Sequence, residues 1–119
     1  MEGMDRLDAL RERLRGFVRE RDWDQFHSPK NLAMAMIVEA AELVEHFQWL
    51  TEQQSRDIAP EKRDQVAQEI ADTFIYLLRM ADVLGINLID AAHAKMDLNA
   101  KKYPAEKVRG SNAKYTEYE

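Results

Sequence analysis

The sequence predicts an all-α fold, a single four-helix, bundle-like domain, and three observations carry that prediction. Apolar residues recur at helical spacing through most of the chain, four Gly and three Pro leave long stretches uninterrupted, and no segment alternates apolar with polar residues as a strand would. No internal repeat or low-complexity tract divides the chain. At 119 residues it fits one domain whose modest core a homo-oligomer, dimer or tetramer, would enlarge.

The first helix is read from Leu7, Leu10, Leu14, Phe17 and Val18, with Arg11, Glu12, Arg13, Arg15 and Arg19 between them. Arg21 to Ser28 breaks this period and carries Trp23, Phe26 and His27. Ser28 then caps a second helix with Pro29 at its first position, where a locked φ and a missing N–H cost nothing. Leu32 to Val38 is apolar all round, which predicts burial on every side, in a core or at a subunit contact. This helix is expected to run to about Leu50, followed by a polar loop from Thr51 to Pro60. A third helix carries Val66, Ile70, Phe74, Leu77, Leu78 and Ala81 in register, and Gly85 stops it. Asn87 caps a fourth, with Asp90 in its first turn, and Tyr103 and Pro104 close it. The helical domain is thus placed at residues 1–104, and residues 105–119 are expected to form an extended or partly disordered arm.

Composition narrows the function. The chain is 45% hydrophobic and 33% charged, with a formal net charge of -5, which disfavours nucleic acid as a partner because that binding relies on basic residues displacing counterions. No membrane-length apolar run and no signal peptide is visible, so a cytoplasmic protein without membrane attachment is expected. The absence of Cys excludes disulfides and thiolate metal sites. A phosphorylated substrate would need a metal ion as intermediary.

The acidic residues offer such a site. Glu39 and Glu42 stand three apart on the second helix, Glu69 and Asp72 three apart on the third, so each pair projects from one face. If the helices end near 50 and begin near 61, the midpoint of each pair lies roughly 14 Å from the turn at about 1.5 Å per residue. Antiparallel packing would then bring the four carboxylates to one height. Such a cluster needs a compensating cation, and all-oxygen ligation selects a hard ion, Mg2+ with Mn2+ as a substitute. The alternative is four solvated carboxylates on ordinary helix faces.

Other groups could complete a site for a nucleotide. Lys95, Asn99 and Lys102 form a polar, cationic stripe on the fourth helix, able to meet phosphate oxygens or simply to face water. Trp23, Phe26, Trp49 and Tyr76 could stack a planar base or pack in the core, and Tyr76 lies one turn after Asp72. His27 could contact a base or complete the turn before Pro29. His46 and His93 have no evident task.

The segment Glu39-Ala40-Ala41-Glu42, followed after 26 residues by Glu69-Ile70-Ala71-Asp72, resembles the E-x-x-E and E-x-x-D signature of the all-α nucleotide pyrophosphohydrolases, the superfamily of the MazG proteins. The runs RDWDQFH (Arg21 to His27), FQW (Phe47 to Trp49), IYL (Ile75 to Leu77), KMDLN (Lys95 to Asn99) and KYT (Lys114 to Thr116) look like its dCTP pyrophosphatase branch. The resemblance implies magnesium-dependent hydrolysis between the α and β phosphates of a nucleoside triphosphate, in a homo-oligomer that cleanses the nucleotide pool. It implies Glu39, Glu42, Glu69 and Asp72 as the catalytic metal ligands; a mechanism on that centre makes Glu39 a candidate general base. Lys95 and Asn99 would lie near the phosphates, and Trp23, Trp49 and Tyr76 would form a pocket for dCTP or a base-modified form. Two positions depart from the pattern: Val38 stands where many superfamily members have an acidic residue, and Leu14 where some dCTP-specific relatives carry His.

Three other readings remain. The chain could be a same-family enzyme with a different nucleotide preference, or a noncatalytic helical module whose apolar second helix docks a partner. A di-iron bundle would need Glu-x-x-His pairs. Position 45 is Glu, His46 is one residue too far from Glu42, and Asp90, spaced correctly from His93, is explained by the helix start.

Overall fold

A computed structural model describes residues 5–111 and contains only helices and turns among them. Helix α1 (Arg6–Glu20) starts where the Asp5 carboxylate accepts a hydrogen bond of 2.7 Å from the Asp8 N–H. It ends in a left-handed residue, Asp22 at φ 54°, with the Asp22 N–H bonded to the Arg19 carbonyl and the Trp23 N–H to that of Val18. This paired C-terminal arrangement usually recruits Gly, and Asp is one of the few residues that replaces it at modest cost. A single 3-10 turn, Asp24–Phe26, leads to Ser28, whose hydroxyl accepts from the Asn31 N–H at 3.1 Å to open α2 (Pro29–Glu45).

Two expectations for this region need correction. Helix α2 stops at Glu45 rather than near Leu50, and the expected loop contains a one-turn helix, α3 (Glu52–Ser55). The cause is local. Thr51 and Gln54 form a reciprocal capping box, each side chain bonded to the other's backbone N–H. Thr51 must therefore adopt extended backbone, and the chain leaves its helical course before reaching it.

Helix α4 (Pro60–Val83) is the longest at 24 residues and packs against both α2 and α1. Val66, Leu78 and Ala81 of α4 are buried, as are Val18 of α1 and Leu32 of α2. Gly85, at φ 69°, terminates it as expected. Burial of α2 on every side does not occur within this chain. Leu32 is 1% exposed, but Ile37 is 60% and Val38 55% exposed, because the single chain covers one side of this helix and leaves the other apolar face open.

A chain of charges ties α1 to α4. Arg15 donates to both oxygens of Asp82, at 2.7 and 2.5 Å. Arg79, 8% exposed, lies 3.6 Å from the same carboxylate and also donates to Asp24 and to His27 Nδ1, pinning the 3-10 turn against α4. Hydrogen bonding to Arg15, helped by the nearby cations, holds the Asp82 carboxyl below its ordinary range against the opposing effect of burial.

The chain divides into two compact units between Gly85 and Ile86. The second contains α5 (Leu88–Lys102), opened by Asn87 accepting from the Asp90 N–H at 3.0 Å, and a one-turn helix, α6 (Ala105–Val108), within the stretch expected to be extended. The Lys114 to Thr116 run and most of that stretch lie outside the described residues. Among the described residues no helix is long and apolar enough to cross a membrane.

Asp82→Asn leaves two guanidinium groups facing a neutral amide, a loss of about 2–3 kcal/mol once the partial exposure of Arg15 is allowed for. Because its folded pKa is depressed, Asp82 stabilises the fold above its unfolded pKa and ceases to do so as pH falls through the depressed value. The stability difference between wild type and variant, read from urea unfolding, should therefore be full at neutral pH and shrink in strong acid.

Candidate metal centre

Helices α2 and α4 run antiparallel, as the side-chain pairings require. Glu39 meets Asp72, while His46, further along α2, reaches back to Glu69 on α4, its Nε2 3.9 Å from the carboxylate. Ascending α2 therefore means descending α4. This register brings carboxylate oxygens of Glu39, Glu69 and Asp72 within 4.8 Å of one another. The Glu42 carboxyl is a hydrogen-bonding neighbour of both Glu39 and Glu69.

The electrostatics follow from this crowding. Burial first, then the hydrogen bond to Glu42 and the charges of the neighbouring acids, pushes the carboxyls of Glu39 and Glu69 above their ordinary values. One oxygen of Glu69, Oε2, is buried with no hydrogen-bond partner among the described residues. A buried lone pair aimed into a cluster of like charges suits a cation as its partner. The four side chains offer only hard oxygen donors, so they could hold a divalent ion.

A cleft of about 430 Å³ adjoins the cluster, within the size range of small-molecule sites. Asp72 lies in its wall, so one residue belongs to both the acidic cluster and the cleft. Trp23, His27 and Tyr76 line it, as do Leu14, Phe17 and Arg79. The Asp22 turn holds Trp23 edge-on to Phe17, ring centroids 5.7 Å apart, and the Arg21 guanidinium stacks 3.7 Å from the Phe17 ring centroid.

Two aromatic candidates lie elsewhere. Trp49 is 86% exposed in the turn after α2 and does not line the cleft, and Phe26 is also exposed outside it. Lys95, Asn99 and Lys102 sit on α5 at the spacing of one helix face, in the second compact unit. Two residues near the centre had no role assigned from sequence, His46 beside Glu69 and Arg79 in the cleft wall. His46 carried a weak signal, one helical turn after Glu42. Arg79 carried none, because its place depends on the fold of residues 22–27.

A carboxyl whose folded pKa is raised contributes stability that is complete below its unfolded pKa and is lost as pH rises through the folded value. A divalent ion opposes that loss, so the metal-induced rise in melting temperature should grow with pH, reaching on the order of 5 °C at millimolar Mg2+ near neutral pH. Reading the increment removes the opposing contribution of His27, whose pKa is lowered by burial and by Arg79. The increment should vanish in Glu39→Gln/Glu69→Gln, as differential scanning fluorimetry would show.

Comparison with known proteins identifies the family. A MazG-like family model matches residues 34–118. The chain is 40% identical over 113 residues to dCTP pyrophosphatase 1 of Homo sapiens and 39% identical to that of Mus musculus. Each alignment covers 93% of this chain, which spans 66% of the length of these relatives. The crystal structure of a pyrophosphatase from Archaeoglobus fulgidus DSM 4304 superposes with a TM-score of 0.81 at 39% identity, covering 87% of this chain and 97% of that one. The two acidic helix pairs, the all-α architecture and these matches together place the chain in the MazG-like family.

Proposed function

We propose that the protein is a divalent-metal-dependent nucleotide pyrophosphohydrolase that splits a nucleoside triphosphate between its α and β phosphates, with dCTP or a base-modified dCTP as substrate. The observation that carries this reading is that Asp72 belongs both to the acidic cluster and to the wall of a cleft lined by Trp23 and Tyr76, so a cation on the cluster would adjoin that cleft. The names of the relatives, dCTP pyrophosphatase 1 and a pyrophosphatase, support the substrate class, and the choice of bond rests on the family resemblance.

Glu39, Glu42, Glu69 and Asp72 would hold Mg2+, or Mn2+ in its place. When bound, the ion neutralises the triphosphate and stabilises charge on the departing pyrophosphate. The chain's own groups do the rest. Trp23 and Tyr76 receive the nucleoside on flat apolar faces, fixing the α phosphate at the acidic end of the cleft. Glu39 would accept the proton of the attacking water. Lys95, Asn99 and Lys102 are proposed to meet phosphate oxygens, on the strength of their spacing along α5 and of family resemblance.

The assembly is proposed to be a homo-oligomer. The α2 face bearing Met34, Ile37, Val38 and Val44 is apolar and more than half exposed in one chain, and a groove of about 410 Å³ runs beside Ile37 and Val44. A second copy covering it would explain why Leu32 to Val38 is apolar all round. Trp49, exposed in the turn that follows the same helix, would then lie near a contact between copies. Ile37→Asp/Val44→Asp should shift the protein to monomer in light scattering coupled to size-exclusion chromatography; an unchanged mass would exclude this face as the contact.

Glu69→Ala should lower turnover at least about a hundredfold while leaving the helical circular dichroism intact. The assay is chromatographic separation of products from a panel of deoxynucleoside triphosphates with Mg2+. Monophosphate with pyrophosphate, greatest for dCTP, is the expected outcome. Diphosphate with phosphate would overturn the bond assignment, and equal turnover across the panel would overturn the choice of cytosine.

A further inference from the structure

The Arg79 guanidinium is a donor on all three nitrogens and has no acceptor. Its Nε–H lies 3.1 Å from His27 Nδ1, while Nη2 binds Asp24 and Nη1 faces Asp82 at 3.6 Å. Because Nδ1 accepts, the His27 ring is neutral with its proton on Nε2. That nitrogen has no hydrogen-bond partner among the described residues, and the ring, half-buried, forms part of the cleft wall. Arg79 is itself fixed, since its side chain is 10% exposed and Asp82 is held from the far side by Arg15. A rigid cation therefore sets both the orientation and the tautomer of a ring that faces the cleft.

We propose that Arg79 is a positioning residue for substrate selection: by bonding Nδ1 it locks His27 so that Nε2–H is presented to the cleft as a donor that reads an acceptor on the nucleobase. The inference rests on the reading of the cleft as a nucleoside pocket. Cytosine suits such a donor, because N3 and O2 are adjacent acceptors on its pairing edge, whereas thymine places an N3–H between its two carbonyls. The proximity of the guanidinium and the burial of the ring both resist protonation of His27, which keeps Nδ1 available to accept. Arg15 and Asp82 act one step further back, and Asp24 fixes the other arm of the fork.

The test combines nitrogen NMR of the histidine side chains with binding of dCMP, which reports on the pocket without turnover. In the free wild-type protein the His27 Nδ1 signal should be that of an unprotonated nitrogen and Nε2 that of a protonated one. Saturating dCMP should move the Nε2 signal, and deoxyribose 5-phosphate, which lacks a base, should not. Arg79→Met should weaken dCMP binding about tenfold, the loss of one buried hydrogen bond, and leave deoxyribose 5-phosphate binding unchanged. His27→Gln, which keeps an amide donor, should retain most of the dCMP affinity that His27→Leu loses. The inference is overturned by an Nδ1–H tautomer, by an equal response to the baseless ligand, or by Arg79→Met weakening both ligands alike, which marks a purely structural brace. Failure of the pyrophosphohydrolase reading is distinguishable: the wild type would then release no pyrophosphate while its His27 tautomer is still measured directly.

Discussion

The register of α2 against α4 is the constraint on which the rest of the structure depends. It forces four carboxylates, two from each helix, into one small volume where they repel. In the absence of a cation that repulsion is relieved only by holding protons on Glu39 and Glu69 above their ordinary range, at the expense of stability near neutral pH. The helix pair bears this strain because its other contacts are favourable: Leu32, Val66 and Leu78 bury apolar surface, and the Arg15–Asp82–Arg79 chain clamps α1 and the 3-10 turn to α4. Helix α4 thus has two charged sections with opposite characters. Near Glu69 the acids crowd one another and one buried carboxylate oxygen has no hydrogen-bond partner among the described residues, whereas near Asp82 the carboxylate is saturated with guanidinium groups.

That contrast bears on function. A saturated ion pair braces the fold, whereas an uncompensated cluster beside a cleft is a place for a ligand of opposite charge. Asp72 joins the two features, so a cation held by the cluster would lie at the end of the pocket lined by Trp23, His27 and Tyr76. The cleft is otherwise largely apolar, with Leu14 and Phe17 among its walls, which suits the flat face of a base better than a polyphosphate.

Much of this was legible in the sequence, for identifiable reasons. Helix starts at Ser28-Pro29 and Asn87 and the stop at Gly85 are set by local chemistry, so they could be read directly. The acidic cluster was legible because equal spacing from a turn is a property of sequence alone, even though α2 ended five residues earlier than expected. The Thr51 to Gln54 capping box was also local, but its signal lay within a polar stretch that reads as loop. What could not be read depended on distant pairing. Asp22 terminates α1 without a Gly, Arg79 reaches residues more than fifty positions away, and the open apolar face of α2 appears only once one side of that helix is covered. The aromatic residues show the same limit: Trp23 and Tyr76 share a cleft, while Trp49 of the same chain does not line it.

The account stands or falls on whether the four carboxylates hold a metal ion. Diffraction from crystals grown with Mn2+, recorded to exploit its anomalous scattering, locates the ion without reference to activity. The account predicts an anomalous peak at about 2.1–2.2 Å from oxygens of Glu39, Glu69 and Asp72, with Glu42 as ligand or neighbour. A well-ordered cluster without such a peak at saturating Mn2+, or a peak bound elsewhere while these carboxylates remain paired with one another, would contradict it.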